Sequence, residues 1–454
     1  MNRVVIIGGG LAGLSTAFFL QQACPELEVT ILEKEPHTGG KVRSSHRAGY
    51  TVDWAANGFL PSVPDTLDLA KELGLELQQA DVVAKNRLLY KNGALRKLPA
   101  SPPAFLTSNL LLPSEKLRAA AEPVLGRSHH NNSGGEESVY NFVARHFGRG
   151  VADVFAGPFV LGITGGDAKQ LSLDALFPRF RVLEQTHGSL VRALIKQQRA
   201  AKENPDPDRP KRLTSFRGGS GRLVAALEEK FVGRLETGVG VEAVQPSARG
   251  FSVIKVDGWR LEADAVVLAT PSFVSARLVQ PFSPGAAEVL AEIRYADVQV
   301  FGLGYHRIDV PNPLGGFGFL VPRGEGVRVL GVLYSSSIFP GQAPDGRVLL
   351  RVIAGGSVDP EFAALTPDEA LTVVRRDLRV TMGIAAEPEF VEHIPWPQGI
   401  PQYELGHVSR IERAENILAE LPLWLTGNAY RGVGVNDTVR DARRTADALL
   451  KVLI

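Results

Sequence analysis

The first thirty-five residues restrict the fold more than any others. Arg3–Ile7 (RVVII) is a short, almost wholly apolar run, as expected of a parallel strand covered on both faces. Gly8, Gly10 and Gly13 follow with G-x-G-x-x-G spacing, a helix is expected over about Leu11 to Gln22, and EVTILEKE (28–35) reads as a second strand. In such a unit Gly8 makes the tight turn, Gly10 admits a pyrophosphate to the backbone, and Gly13 lets helix and strand pack closely. Gly9, Leu11 and Ala12 complete the turn, where the unpaired N–H groups of a helix start face phosphates. Glu33 stands twenty residues after Gly13, where an acid accepts hydrogen bonds from ribose hydroxyls. The glycine spacing alone is weak. Strand, glycines, helix, strand and acid together predict a Rossmann-type α/β dinucleotide-binding domain, against the plainer reading of a glycine turn needed only for packing.

A second glycine turn, Gly39-Gly40 with Lys41, follows just past the acid and Lys34. NAD has no need of it; the turn resembles that of the flavoprotein group related to amine oxidases and carotenoid desaturases, where it runs along the FAD diphosphate, and this resemblance implies FAD. TVDWAANGF (51–59) then resembles that group's segment beside the flavin ring, where Ala55, Ala56 and Gly58, around Asn57, would let backbone lie against the cofactor, although an ordinary strand and turn would read the same way. The far end of the chain repeats the opening pattern. PLWLTGN (422–428) reads as a strand ending at Gly427; Val433, Gly434 and Val435 lead through Asn436 and Asp437, both N-cap types, into a helix with apolar face Val439, Ala442, Ala446 and Leu449. That helix start would stabilise negative charge on a flavin ring. Both termini are therefore expected in one domain, and the resemblance to the flavoprotein group, whose chain returns to the nucleotide domain at about 210–275, implies a discontinuous FAD domain of 1–85, 210–275 and 404–454. The stretch 426–450 holds no Cys or His, so the FAD is expected to be non-covalent.

The 454 residues suffice for two or three lobes. A net charge of +1 gives nucleic acid no basic surface. The single cysteine, Cys24, excludes an intrachain disulfide and suits a reducing, cytoplasmic compartment. Val4–Leu20 is shorter than the roughly 20 residues of a membrane span. Residues 86–209 read as a helical lobe, with a Pro-rich charged linker at 201–212, and 276–403 as a sheet-based substrate domain with a helix at about 367–382. The adjacent His129 and His130 lack further ligands at metal spacing and read as a solvated pair, so no metal is expected.

Five segments carry a more specific signal: FVLGITGGDAKQLSLDALFPRFRVLEQTHGSLVRALI (159–195), SFRGGSGRLVAALEEKF (215–231), GGFGFLVP (315–322), GIPQYELGH (399–407) and GNAYRGVGVNDTV (427–439). In this order, over nearly the whole chain, they resemble the oxygen-dependent protoporphyrinogen/coproporphyrinogen oxidases, flavoproteins of the amine-oxidase-like superfamily. The resemblance implies FAD-dependent oxidation of a porphyrinogen in heme biosynthesis, in three two-electron rounds, with molecular oxygen as acceptor and hydrogen peroxide as product. Protoporphyrinogen IX is the first reading and coproporphyrinogen III the second. It implies a flat apolar site without a catalytic acid or base: Arg87 on a propionate, Phe317 and Leu320 against the macrocycle, Gly162 and Ile353 beside it. It also places Val241, Ala269 and Trp396 at the FAD. Plain core packing, or a surface arginine for Arg87, would give the same residue types. The resemblance further implies a membrane-facing helical lobe dipping through Phe105, Leu106 and Leu110–Leu112, against the equally open reading of an amphipathic helix packed on its own lobe, together with handover to ferrochelatase and a homodimer. An amine oxidase would want a second aromatic where Val433 follows Tyr430. A carotenoid desaturase would not want Arg87, and a porphyrin carrier would not want a redox cofactor.

Overall fold

The computed structural model describes residues 2–125, 135–203 and 209–453; His129, His130 and the middle of the 201–212 linker lie outside them. Two sheets organise the protein. The first has five strands in the spatial order Leu423–Leu425, Ala265–Leu268, Arg3–Ile7, Glu28–Leu32, Arg234–Glu236, all parallel. Its central strand is apolar and buried from Val4 to Ile7 because both faces are covered. Val4 and Ile6 pack with Leu14, Ala17, Val439, Ala442, Ala446 and Leu449, and Val5 and Ile7 with Val244, Phe251 and Val253 on the other side. The first helix, Leu11–Ala23, and the last, Val435–Leu453, therefore lie together on one face. Val439, Ala442, Ala446 and Leu449 are fully buried, as the helical spacing predicts.

The second sheet has seven strands, ordered Phe390–Pro401, Tyr295–His306, Arg347–Gly355, Val329–Leu333, Gly318–Leu320, Arg87–Lys91, Ala94–Lys97. All pairings are antiparallel except Gly318–Leu320 with Arg87–Lys91. Residues 87–97, at the start of the span read above as helical, thus form its edge hairpin, turned at Asn92-Gly93, both at positive φ. Residues 272–291 form two helices whose Ala276, Val279, Ala286 and Leu290 pack in the core beneath the parallel sheet, not on the seven-stranded one. The helix Pro367–Met382 falls at its expected place, started by a Thr366–Glu369 capping box and ended by Gly383 at positive φ.

Between the sheet regions the described residues from Pro102 to Glu203 are mostly helical, joined by short turns. Of the apolar residues expected to face a bilayer, Leu110 and Leu111 are buried against Leu89 and Val154. The apolar run is folded into the lobe's own core there, so only its ends, Leu106 and Leu112, are 58% and 64% exposed. Among the described residues no helix is long and apolar enough to cross a membrane.

Candidate active site

The glycine turns meet at the carboxyl ends of the parallel strands, where open α/β sheets bind their ligands. Gly13 has no room for a Cβ, because the carbonyl oxygen of Gly8 occupies that position. Gly39 N donates to Gly9 O at 2.9 Å and Gly39 bridges Gly10, laying the second turn along the first. Gly8 stands against the backbone of Ala269. The Glu33 carboxylate is buried and accepts from Gly9 N at 2.7 Å and Glu35 N at 2.9 Å. Val239 N donates to Glu33 O at 2.8 Å, which brings the edge at Val241 to the same place. Lys41 is half-buried over the Tyr295 ring, 5.8 Å from its centroid, with no carboxylate partner among the described residues. Burial pulls its pKa down to about 8. A cation without a counter-charge, beside stacked glycine backbone, is a donor set that fits a diphosphate, and Glu33 fits a ribose. Lys34 does not join them: its side chain is exposed and pairs with Glu35 at 3.4 Å.

The C-terminal turn closes on this cradle. Gly427 has φ +114°, and its Cβ position lies 3.4 Å from the Cβ of Ala12. Gly427 N and Thr426 Oγ1 both donate to Asp441 Oδ2 at 3.1 Å. The last helix begins at Val435, so Asn436 and Asp437 are not its caps. Gly434 takes that position, its carbonyl accepting the first helical bond from Thr438 N at 3.0 Å. Asn436 instead reaches across: Nδ2 donates to Leu60 O at 2.9 Å, while its buried Oδ1 has no partner among the described residues. Burial raises the pKa of the Asp437 carboxyl in the first turn.

Ala55–Gly58 hangs between fixed points. The Arg43 guanidinium lies 4.0 Å from the centroid of the Trp54 ring, and the Trp54 indole donates to Glu392 at 3.2 Å. Trp396 Nε1 donates to Trp54 O at 3.3 Å. Phe59 exchanges backbone bonds of 2.8 and 3.0 Å with Thr214, and Leu60 is held by Asn436.

One face of the large sheet completes the site. Leu320, Gly331, Ile353, Val300 and Ile394 stand opposite one another across five strands. Arg87, Gly318, Leu333, Arg351 and Gly302 form the adjacent row on that face. The helix Gly157–Thr164 lies over it so closely that a Cβ on Gly162 would strike Leu320. Gly162 and Leu320 therefore meet, and Ile353 stands two strands along the same row. Arg87 stands one row away with its guanidinium 5.1 Å from the centroid of Phe317, and makes no ion pair among the described residues. Arg181, by contrast, is committed to Asp174 and Glu184 at 2.9 and 2.8 Å.

Sequence reading missed one buried node. Arg351 is enclosed in its strand, and its Nη1 donates to Asp53 O at 3.0 Å. The Asp53 carboxylate accepts from Ser44 Oγ at 2.6 Å, Ser220 N at 2.8 Å and Gln342 Nε2 at 3.1 Å, tying the parallel-sheet region to the large sheet. Burial lowers Arg351 to about 10. The signal was a lone arginine within the apolar run VLLRVIAG.

Comparison with known proteins agrees with this geometry. Residues 11–450 match the family described as flavin containing amine oxidoreductase. The chain is 30% identical to the mitochondrial protoporphyrinogen oxidase of Nicotiana tabacum, covering 100% of this chain and 95% of that protein. It is 28% identical to the coproporphyrinogen III oxidase of Bacillus subtilis, covering 99% and 98%. A crystal structure from Exiguobacterium sp. 255-15, provisionally named a protoporphyrinogen oxidase, shares the fold with TM-score 0.85 at 23% identity, over 100% of this chain and 99% of that one. The cofactor that the cradle fits is accordingly FAD, and this chain belongs to the family of flavin-containing amine oxidoreductases.

Proposed function

We propose that the protein oxidises a porphyrinogen, protoporphyrinogen IX in the first instance, to the porphyrin. The observation that carries this reading is the closeness of the two glycine turns, a Cβ on Gly427 lying 3.4 Å from that of Ala12, which supports one flavin seat beside the apolar row Leu320–Ile353 and Arg87, a cation without an ion pair among the described residues. Bound FAD supplies a two-electron acceptor that passes its electrons to oxygen. Three rounds convert one porphyrinogen and three O₂ into one porphyrin and three H₂O₂, each round removing two electrons and two protons. The chain's part is positioning and exclusion of water. Arg87 holds a propionate by charge-assisted hydrogen bonds. Phe317, Leu320, Ile353 and the bare backbone of Gly162 flank the macrocycle. Glu33, Lys41, Val241 and Ala269 hold the dinucleotide, and Ala55–Gly58, Trp396 and Val433–Val435 the ring. The corresponding lobes are an FAD domain, a helical lobe and a substrate sheet.

Coproporphyrinogen III is the second reading, favoured by the relatives of that name at 28% identity. Both porphyrinogens assayed side by side under air, read by porphyrin fluorescence, test the choice: faster turnover of protoporphyrinogen is expected, and faster turnover of coproporphyrinogen reverses the assignment. Exposed Leu106, Leu112, Leu117 and Val124 support a peripheral membrane contact of the helical lobe. Liposome flotation tests it, and protein left wholly at the bottom rejects it.

A further inference from the structure

We infer that the segment Gln402–His407 is a clasp whose Tyr403 and His407 position the C-terminal flavin loop, and whose Gln402 ties that loop to the helix carrying Gly162. Tyr403 and His407 are therefore positioning residues. The inference rests on the proposed function only for the identity of the substrate. Two sequence segments without assigned chemistry, GIPQYELGH and GGDAKQLSL, meet here. Ser172 N donates to Tyr403 O at 2.8 Å, Leu405 N to Gln170 O at 3.0 Å, and Leu171 bridges Glu404. Gln402 Nε2 donates to Thr164 O at 2.9 Å, satisfying the carbonyl that ends the Gly162 helix.

The side chains face the other way. The Tyr403 hydroxyl donates to Asn428 O at 2.7 Å, and His407 Nε2 donates to Tyr430 O at 3.0 Å. The two rings stack with centroids 3.9 Å apart and planes within 14°. Both are buried, and both grip backbone carbonyls one and three residues after Gly427. From the opposite side the Tyr430 hydroxyl bonds Ser275 Oγ at 2.8 Å, which bonds Thr270 Oγ1 at 2.8 Å, next to the Ala269 that backs Gly8. The loop is thus fixed between the dinucleotide cradle and the clasp. Apolar rings would fill the same space. Here a buried His407 Nδ1 is left without a partner among the described residues, a cost accepted so that Nε2–H meets the carbonyl. Burial keeps the ring neutral, with its pKa pulled down to about 4.

The test uses the full chain, FAD titration of the apoprotein by flavin fluorescence, the visible spectrum of the bound flavin, and steady-state kinetics. Tyr403→Phe and His407→Phe keep the stacked rings and remove one donor each. Each is expected to weaken FAD binding by about 3- to 10-fold and to alter the bound-flavin spectrum, since one net hydrogen bond is lost. His407→Gln, which restores a donor, is expected to recover part of the affinity. Gln402→Met is expected to raise KM for the porphyrinogen several-fold with FAD affinity changed by less than about twofold. Unchanged FAD affinity and spectrum in both Phe variants, with only a lower Tm, would reduce the clasp to core packing and overturn the inference. An unchanged KM in Gln402→Met overturns its link to the lobe. If Tyr403→Phe fails to fold, the His407→Phe and His407→Gln pair decides. Failure of the wild-type protein to oxidise any porphyrinogen rejects the functional reading and leaves the FAD measurements standing.

Discussion

Arg87 is the residue proposed to hold the substrate's propionate. Its guanidinium rests on Phe317 with no carboxylate partner among the described residues, which leaves it free for the propionate proposed for it. Arg87→Ala is expected to raise KM for the porphyrinogen by about 10- to 100-fold, the worth of a charged hydrogen bond, with FAD affinity unchanged. Arg87→Lys should fall between, having lost the bidentate fork. An unaltered KM in Arg87→Ala would remove the residue from the site. Gly427 is the corresponding test of the flavin seat. At φ +114°, with its Cβ position 3.4 Å from Ala12, an alanine there is strained by about 1–3 kcal/mol. Gly427→Ala is expected to weaken FAD binding by about tenfold or more. Gly93→Ala, also at positive φ but in open space on the hairpin tip, should leave FAD binding alone. Comparable FAD affinities in the two variants would contradict this. Residue placement was legible in the sequence where a pattern repeats a known physical need, as in the turn packing at Gly8–Gly13 and the position of Glu33 beside it. Arg351 and Asn436 were not, because their partners, Asp53 and Leu60, lie hundreds of residues away in the chain.

Among the elements, the helical lobe is held by buried charge. His146 lies between Glu122 and Glu184 at 3.0 Å each, and Arg145, Arg181 and Glu137 complete the network. Burial pulls His146 down, but the two carboxylates outweigh it and its pKa is raised on balance. Its contribution to stability is therefore full below the unfolded value of about 6.5 and is lost as pH rises through the folded value. Glu184 runs the other way. Burial opposes ionisation, but His146, Arg145 and Arg181 hold it well below the usual carboxylate range. Its contribution is present above about pH 4.3 and is lost as pH falls towards the folded value. Tm should thus be highest in the weakly acidic window, and His146→Gln should flatten the decline at higher pH. A Tm difference between wild type and variant that does not change with pH would contradict it. At this scale the strands of the parallel sheet and the helix Pro367–Met382 were legible from periodicity and caps. The hairpin 87–97 was not assigned to the large sheet, because its partner strand, Gly318–Leu320, is only three residues long. Leu110 and Leu111 could not be told from membrane-facing residues, because burial against Leu89 is a tertiary fact.

The whole molecule joins its two ends. The first helix and the last pack on one face of the parallel sheet, Gly427 sits on Ala12, and the clasp at 402–407 carries that arrangement to the lobe over the substrate face. The convergence was readable from the repeated strand–glycine–helix pattern. The registers that place Leu320 against Gly162 and in one row with Ile353 were not, since they depend on sheet pairing across residues 87 to 401. Anaerobic mixing of the FAD-loaded protein with protoporphyrinogen tests this arrangement most directly. Loss of the yellow absorbance, followed on admitting air by its return with porphyrin fluorescence and hydrogen peroxide, is the expected result. Absorbance that survives porphyrinogen but is lost with an amine would contradict it.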